Sequence, residues 1–332
     1  MTLILGIETS CDETSVAIVE NGVKVLSNVV KTQAIHSNYG GVVPDLSSRE
    51  HVNFIFNVFS DAIKMAKVKV DDIDVISVVN GPGLVGSLMV GVSFAQALGL
   101  RYSKKLIITD HVIGHIYGNV LTYGNLEFPM ISLVVSGGHT SLFLVKEDFS
   151  LEPVGKTLDD AAGEAFDKCA KLLNLGYPGG PMIEKYSKEG DQNFFKFPVA
   201  RVSDYNFSFS GLKTSVLYYL RSKDKDFIEK NIHNIAASIQ KAVVDQLLSV
   251  MKKYFIDNKK RMIRSVSIAG GVSANSYLRN RFINLFKGKG CEIYIPNFEY
   301  CTDNAALTAG YAYLKYKKNE FSDIGIKVYS RN

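Results

Sequence analysis

Cysteine is scarce in this chain. Cys11, Cys169, Cys291 and Cys301 are the only four in 332 residues, and no two of them stand in a CxxC pair. That scatter argues against a disulfide framework and fits a reducing, cytoplasmic setting. No secretory leader is expected either, because Met1 runs straight into the apolar Leu3-Ile4-Leu5 without a basic segment or a small-residue cleavage site. A single stretch, Val75 to Leu100, goes a long way without charge. Asn80-Gly81-Pro82-Gly83 breaks it in the middle, so it reads as a buried strand, a glycine turn and a buried helix. No membrane partner is expected from it. Low-complexity segments are missing. An excess of one charge is nearly missing too: the net charge is +5, weaker than a dedicated DNA-binding domain shows, which permits an RNA partner without demanding one.

What is present is an ordinary globular composition, 46% hydrophobic and 21% charged, in a chain long enough for two domains. One plan of elements occurs twice. Leu3 to Ile7 reads as a strand, Glu8 to Ser15 as a polar, hydroxyl-rich turn, and Val16 to Val19 as a second strand. Asn21-Gly22 is a hairpin signal, and Val23 to Val30 offers a third strand. Met130 to Val135, Ser136-Gly137-Gly138-His139-Thr140 and Ser141 to Val145 repeat that order, with a third strand from Leu151. Each copy leads on to a strand that ends in glycines and feeds a helix. In the first half these are Val75 to Val79, Gly81-Pro82-Gly83 and Leu88 to Leu98. In the second they are Ser265 to Ala269, Gly270-Gly271 and Asn275 to Phe286. A duplicated order implies two similar α/β lobes with ligands in a cleft between them. The arrangement resembles the actin, sugar kinase and heat-shock chaperone ATPase superfamily, whose opposed hairpin turns hold nucleotide phosphates through backbone N–H groups. The expected division is 1–108 with 299–325 for one ribonuclease H-like lobe and 109–298 for the other.

His111 and His115 are spaced i, i+4, so on a helix both imidazoles face one cation. Two satisfied histidines at a helix start would show the same spacing. A zinc protease is disfavoured, because Val112 stands where an HExxH signature carries its general-base glutamate. Asp303, at a strand-to-helix junction in Cys301-Thr302-Asp303-Asn304, is the best third ligand. Two histidines and a carboxylate with open positions suit Fe(II) or Zn(II).

These blocks together resemble the tRNA N6-adenosine threonylcarbamoyltransferase family in its bacterial form. The matching residues run through Gly6-Ile7-Glu8-Thr9-Ser10-Cys11-Asp12-Glu13-Thr14, His36-Ser37 to Pro44, Gly81-Pro82-Gly83-Leu84, His111/His115 and Ser136 to Thr140. They continue through Asp159 to Lys168, Gly176 to Pro181, Phe207 to Thr214, Gly270-Gly271-Val272 with Asn275, and Cys301 to Asn304, nearly the whole chain. The resemblance implies one divalent metal per subunit on His111, His115 and Asp303, with Fe(2+) favoured and Zn(2+) possible. It implies that Val134, Val135, Ser136, Gly137 and Gly138 line the phosphates and the threonylcarbamoyl group. Asp167 and Glu184 would hold ribose hydroxyls, Gly180 and Asn275 would flank the adenosine, and Asp12 and Glu13 would lie near the reacting group. The chain departs from the pattern at Ile113, where many bacterial relatives carry glutamate, and at Glu184, which is often Asp. It also lacks, at Val134, the tyrosine ligand of archaeal and eukaryotic relatives, which leaves water, substrate or His139 to complete the metal shell.

The implied reaction moves a threonylcarbamoyl group from threonylcarbamoyl-AMP to N6 of adenosine 37 in tRNAs that read ANN codons, releasing AMP. Asp12 or Glu13 would take the amine proton, a role no better supported than hydrogen bonding within the turn. An actin-like ATPase or assembly module with a structural metal is the alternative. The implied partners are tRNA, a metal-free paralogue (TsaB-like), a small P-loop ATPase (TsaE-like) and an upstream synthase that makes threonylcarbamoyl-AMP. The stripe Phe54, Ile55, Val58, Phe59 and Ala62 offers a docking face, although burial against its own core is favoured. The run Lys259-Lys260-Arg261 is either a solvated turn or a tRNA contact.

Overall fold

The fold comes from a computed structural model, which describes residues 1–330. The chain forms two compact units: Met1–Asn125 together with the segment from Pro296 onward, and Leu126–Ile295. In the first unit, β1 (Leu3–Glu8) is buried along its whole length. It pairs antiparallel with β2 (Glu13–Glu20), which pairs antiparallel with β3 (Lys24–Thr32). The β-branched and aliphatic content of these strands suits a sheet covered on both faces. Next comes α1 (Pro44–Ala66), whose first-turn proline has no N–H to waste. Its residues Ile55, Val58, Phe59 and Ala62 are buried in the core of this unit, so most of the apolar stripe faces inward. β4 (Val75–Gly81) lies parallel to β1, α2 (Val85–Tyr102) follows, and β5 (Lys105–Asp110) lies parallel to β4. The uncharged stretch is therefore a strand, a glycine turn and a helix. Helix α3 (His111–Tyr123) begins directly at the end of β5 and belongs to this unit.

The second unit repeats the sheet. β6 (Met130–Val135), β7 (Thr140–Val145) and β8 (Leu151–Lys156) form the antiparallel part. Helices α4 (Ala162–Leu172), α5 (Gly179–Ser187), α6 (Ser210–Arg221), α7 (Lys225–Lys230) and α8 (Ile232–Asp257) come next. β9 (Ser265–Ala269) runs parallel to β6, α9 (Ser276–Phe286) follows, and β10 (Glu292–Tyr294) runs parallel to β9. Finally α10 (Ala305–Lys317) packs on β1 and β2 of the first unit. The two sheets read β3-β2-β1-β4-β5 and β8-β7-β6-β9-β10, the same order with the same strand directions. This is the duplicated, actin-like α/β plan expected from the sequence. Among the described residues, no helix is long and apolar enough to cross a membrane.

Candidate metal centre and nucleotide turn

Helix α3 carries the two histidines. Asp110 is its N-cap, and its carboxylate Oδ1 accepts from the Ile113 N–H at 3.0 Å. His111 and His115 are one turn apart, with ring centroids 4.6 Å from each other. Asp303 arrives just ahead of α10. Asn304 caps that helix, accepting from Ala306 N at 3.2 Å and donating to the carbonyls of Thr302 and Glu299. Ser15 Oγ accepts from Ala305 N at 2.9 Å, which ties the same junction to β2. Asp303 Oδ1 then lies 3.6 Å from His111 Nε2 and 3.1 Å from His115 Nε2. One potential ligand atom from each of the three side chains lies within 4.8 Å of the others.

The chemistry of this donor set fits a divalent cation. His115 is buried, yet neither ring nitrogen makes a hydrogen bond among the described residues, and its approach to Asp303 is not aligned for N–H···O. Buried imidazoles are rarely left in this state. His111 Nδ1 is engaged, 3.2 Å from Glu8 Oε2 and 3.1 Å from Ser10 Oγ, which leaves Nε2 facing Asp303. Such a carboxylate–histidine pair fixes the tautomer and orientation of a metal-binding imidazole. Burial disfavours charge on His111, but Asp303 and Glu8 outweigh it, and its pKa is pushed up to about 9. Burial, reinforced by Asp303, Asp12 and Glu8, holds the Glu13 carboxyl well above the usual carboxylate range. Burial, with Asp12 and Asp303, likewise pushes the Cys11 thiol up. Four carboxylates thus act on one small region, and a divalent cation would relieve their mutual repulsion.

The turn that bears Asp12 and Glu13 is held from behind. His51 Nδ1 lies 2.7 Å from Thr14 Oγ1, and its Nε2 lies 3.0 Å from the Cys11 carbonyl. Asp12 accepts from Gln33 N through its own carbonyl at 3.0 Å. Three residues here escaped the sequence reading. Glu8 looked like the first residue of a polar turn, and only its place at the end of a fully apolar strand marks it as buried. His51 lies in no motif block. Tyr329 reaches Asp110 from far along the chain: its hydroxyl donates to Asp110 Oδ2 at 2.7 Å, and its N–H donates to Asn80 O at 3.0 Å.

The second unit holds the predicted nucleotide residues. Ser136 to His139 form a tight turn between β6 and β7, in which Ser136 N donates to His139 O at 2.8 Å. Ser136 Oγ accepts from Gly138 N at 3.3 Å and His139 N at 3.1 Å, so those two donors are turned onto the serine. Space opens where a side chain on Gly137 would stand. Gly270, at φ +86°, lies against Val135: an added Cβ would meet the Val135 carbonyl carbon at 2.8 Å. Val134 and Val135 are wholly buried within the ladder, where Val134 pairs with Ser141 and Ala269 and Val135 with Thr140.

Asp167, Gly180, Glu184 and Asn275 are linked by helix starts. Asp167 Oδ1 accepts from Gly179 N at 2.7 Å, at the start of α5. Glu184 Oε1 accepts from Ser276 N at 2.9 Å, at the start of α9. Asn275 caps α9 by accepting from Leu278 N at 2.9 Å, and it donates to Gln240 Oε1 at 2.8 Å. Gly180 is half-buried, and an added Cβ there would meet nothing within 4 Å. His139 sits on the hairpin turn of the second unit, whereas the His–His–Asp group lies wholly within the first.

Residues 24–310 match the family model for tRNA N6-adenosine threonylcarbamoyltransferase. A protein of that description from Thermosipho africanus (strain TCF52B) is 53% identical over 324 residues, covering 97% of this chain and 96% of its own. Another from Caldicellulosiruptor bescii is 51% identical over 319 residues, covering 95% and 94%. Among solved structures, component A of the Acidaminococcus fermentans (R)-2-hydroxyglutaryl-CoA dehydratase aligns with a TM-score of 0.56 at 15% identity, over 96% of this chain and 100% of its own. That last likeness concerns the fold alone.

Proposed function

Because the chain belongs to the tRNA N6-adenosine threonylcarbamoyltransferase family, and so moves threonylcarbamoyl from threonylcarbamoyl-AMP to N6 of adenosine 37 in ANN-reading tRNAs, we propose that His111, His115 and Asp303 hold the metal that serves this transfer. The observation that carries the proposal is the buried His–His–Asp group, with its unbonded imidazole and its Glu8-braced partner. Two imidazoles and one carboxylate suit Fe(2+) first and Zn(2+) second. When bound, the metal supplies Lewis acidity toward the carbamoyl oxygen or the threonine carboxylate.

The chain's own residues do the rest. In the transfer, a C–N bond forms between the carbamoyl carbon and N6, the carbon–oxygen bond to phosphate breaks, and AMP leaves with the electron pair. The N6 proton passes to Glu13 or Asp12. The Ser136-Gly137-Gly138 turn, at the end of the strand that carries Val134 and Val135, receives the phosphate and carbamoyl groups, and Gly137 leaves room for close approach. Asp167 and Glu184 accept from the ribose hydroxyls, while Gly180 and Asn275 flank the adenine.

A metal-free paralogue (TsaB-like), a small P-loop ATPase (TsaE-like) and an upstream synthase are the partners that family membership points to. A cytoplasmic setting is part of this proposal, since the acceptor is tRNA. The test is incubation with threonylcarbamoyl-AMP and unmodified tRNA, read by nucleoside mass spectrometry beside metal analysis. The modified nucleoside is expected to need both substrates and the three ligands. Turnover of ATP alone, with no modified nucleoside, would instead favour the ATPase reading.

A further inference from the structure

The stretch from Gln192 to Lys223 in the second unit is biased toward positive charge. It carries Lys196, Arg201, Lys213, Arg221 and Lys223 against a single carboxylate, Asp204, and interleaves them with aromatic rings. Helix α6 explains how these residues are displayed. Leu212, Val216 and Leu220, spaced four apart, are buried in the core. The opposite side presents Thr214, Ser215, Tyr218, Tyr219 and Ser222, which with Phe195 and Lys223 line an open groove of about 610 Å³.

Tyr219 is committed to packing, its ring centroid 4.1 Å from that of Phe195 and 5.6 Å from that of Phe197. Tyr218 is not: it is 65% exposed on the groove. Lys223 Nζ stands 5.7 Å from the Tyr219 ring and 5.2 Å from that of Phe227, so the cation is held at the edge of an aromatic floor. Of the acids that follow, Asp224 caps α7 through Phe227 N at 2.7 Å and Glu229 faces Lys225 at 3.7 Å, while Asp226 is exposed on α7.

We propose that this groove on α6 is a tRNA contact, in which Tyr218 stacks on an unpaired base and Lys223 meets a neighbouring phosphate. An exposed ring, hydroxyl-bearing side chains and uncompensated cations are what single-stranded RNA loops require, since their bases are splayed out and their backbone is anionic. A protein partner would find few apolar anchors here: the groove's two buried-facing rings already pack on each other. Base–aromatic stacking tolerates any base, so the groove supplies affinity and leaves the choice of adenosine to the place of transfer. The proposal rests on the family's tRNA reaction.

The test uses the full chain, threonylcarbamoyl-AMP and a tRNA transcript with an ANN-reading anticodon. Affinity is read by fluorescence anisotropy at several salt concentrations, and kcat/KM for tRNA by nucleoside mass spectrometry. Tyr218→Ala is expected to lose about tenfold in both, while Tyr218→Phe keeps them and KM for threonylcarbamoyl-AMP is unmoved in both variants. Lys223→Ala is expected to flatten the slope of log affinity against log salt by about 0.7. The proposal stands only if Tyr218→Ala weakens tRNA use, Tyr218→Phe preserves it, and Lys223→Ala lowers the slope; any other pattern overturns it. A wild type that modifies tRNA beside variants that match it discards the groove and leaves the enzyme reading intact. A wild type that binds tRNA at this groove but transfers nothing would count against the enzyme reading instead.

Discussion

His111 shows how the protonation of a proposed ligand would set the conditions for loading the site. Without metal its pKa is about 9, so near neutral pH the imidazole carries a proton that a cation must displace. Apparent metal affinity is therefore expected to rise about tenfold per pH unit up to about pH 9 and then level off. Competition titrations with Zn(2+) across a pH series would check this, and a flat profile would remove His111 from the shell. The same titrations on His111→Ala, His115→Ala and Asp303→Ala should show most affinity gone, because two ligands make a weak site. Glu8→Gln is subtler. It keeps the side chain's volume and removes the charge behind His111 Nδ1, and it is expected to cost about tenfold in metal affinity with little change in melting temperature. Unaltered affinity would reduce Glu8 to a turn residue. The adjacency of His111 and His115 was legible in the sequence because i, i+4 spacing on a helix is a geometric statement. Asp303 was legible as a carboxylate at a strand–helix junction. Glu8 was not, since a lone acid at a strand end has no periodicity to give it away.

At the level of elements, the site depends on how closely α10 and the C-terminal segment lie against the first sheet. Gly6 on β1 faces α10, and an added Cβ would come to 2.9 Å from both Cβ and N of Ala309. Gly6→Ala should push out the helix that carries Asp303, lowering stability by about 1–3 kcal/mol. Thermal unfolding with and without metal would show it, with the metal-dependent increment shrinking as well; an unchanged melting curve would mean that α10 yields freely. Tyr329 works from the other end of the site. Its hydroxyl braces Asp110, the cap of the histidine helix. Tyr329→Phe should cost about 1 kcal/mol, measured by denaturant titration, and no loss at all would show that Asp110 finds water in its place. The strands were readable from their apolar runs and hairpin signals, though β2 starts at Glu13 rather than Val16, because Glu13 to Ser15 pair with Val30 to Thr32 despite their polarity. Helix α1 likewise begins at Pro44, ahead of its apolar stripe. The link from Tyr329 to Asp110 was invisible, since a contact spanning 219 residues leaves no local pattern.

For the whole molecule, the relevant quantity is where the surplus of +5 is left uncompensated. The run Lys259-Lys260-Arg261 is conspicuous in the sequence, but the fold partly neutralises it, because Arg261 Nη1 lies 2.6 Å from Glu152 Oε1. Arg281 is similarly tied, at 2.7 Å from Asp245 Oδ1 and 2.6 Å from the Tyr277 hydroxyl. Lys223, just past the end of α6, instead faces the rings of Tyr219 and Phe227. Since tRNA affinity follows phosphate neutralisation, cations already paired within the protein contribute less to it than open ones. Charge reversal at Lys259, Lys260 and Arg261 together is thus expected to weaken tRNA binding less than Lys223→Glu alone. Measured over the same salt series, it should leave the slope of log affinity against log salt nearly parallel to that of the unaltered protein. A steeper loss at the 259–261 turn than at Lys223 would move the tRNA path off α6 and onto the turn that precedes β9. It would also mean that the exposed pair Arg261–Glu152 opens when RNA arrives, a rearrangement such a solvent-exposed ion pair resists by no more than about 1 kcal/mol.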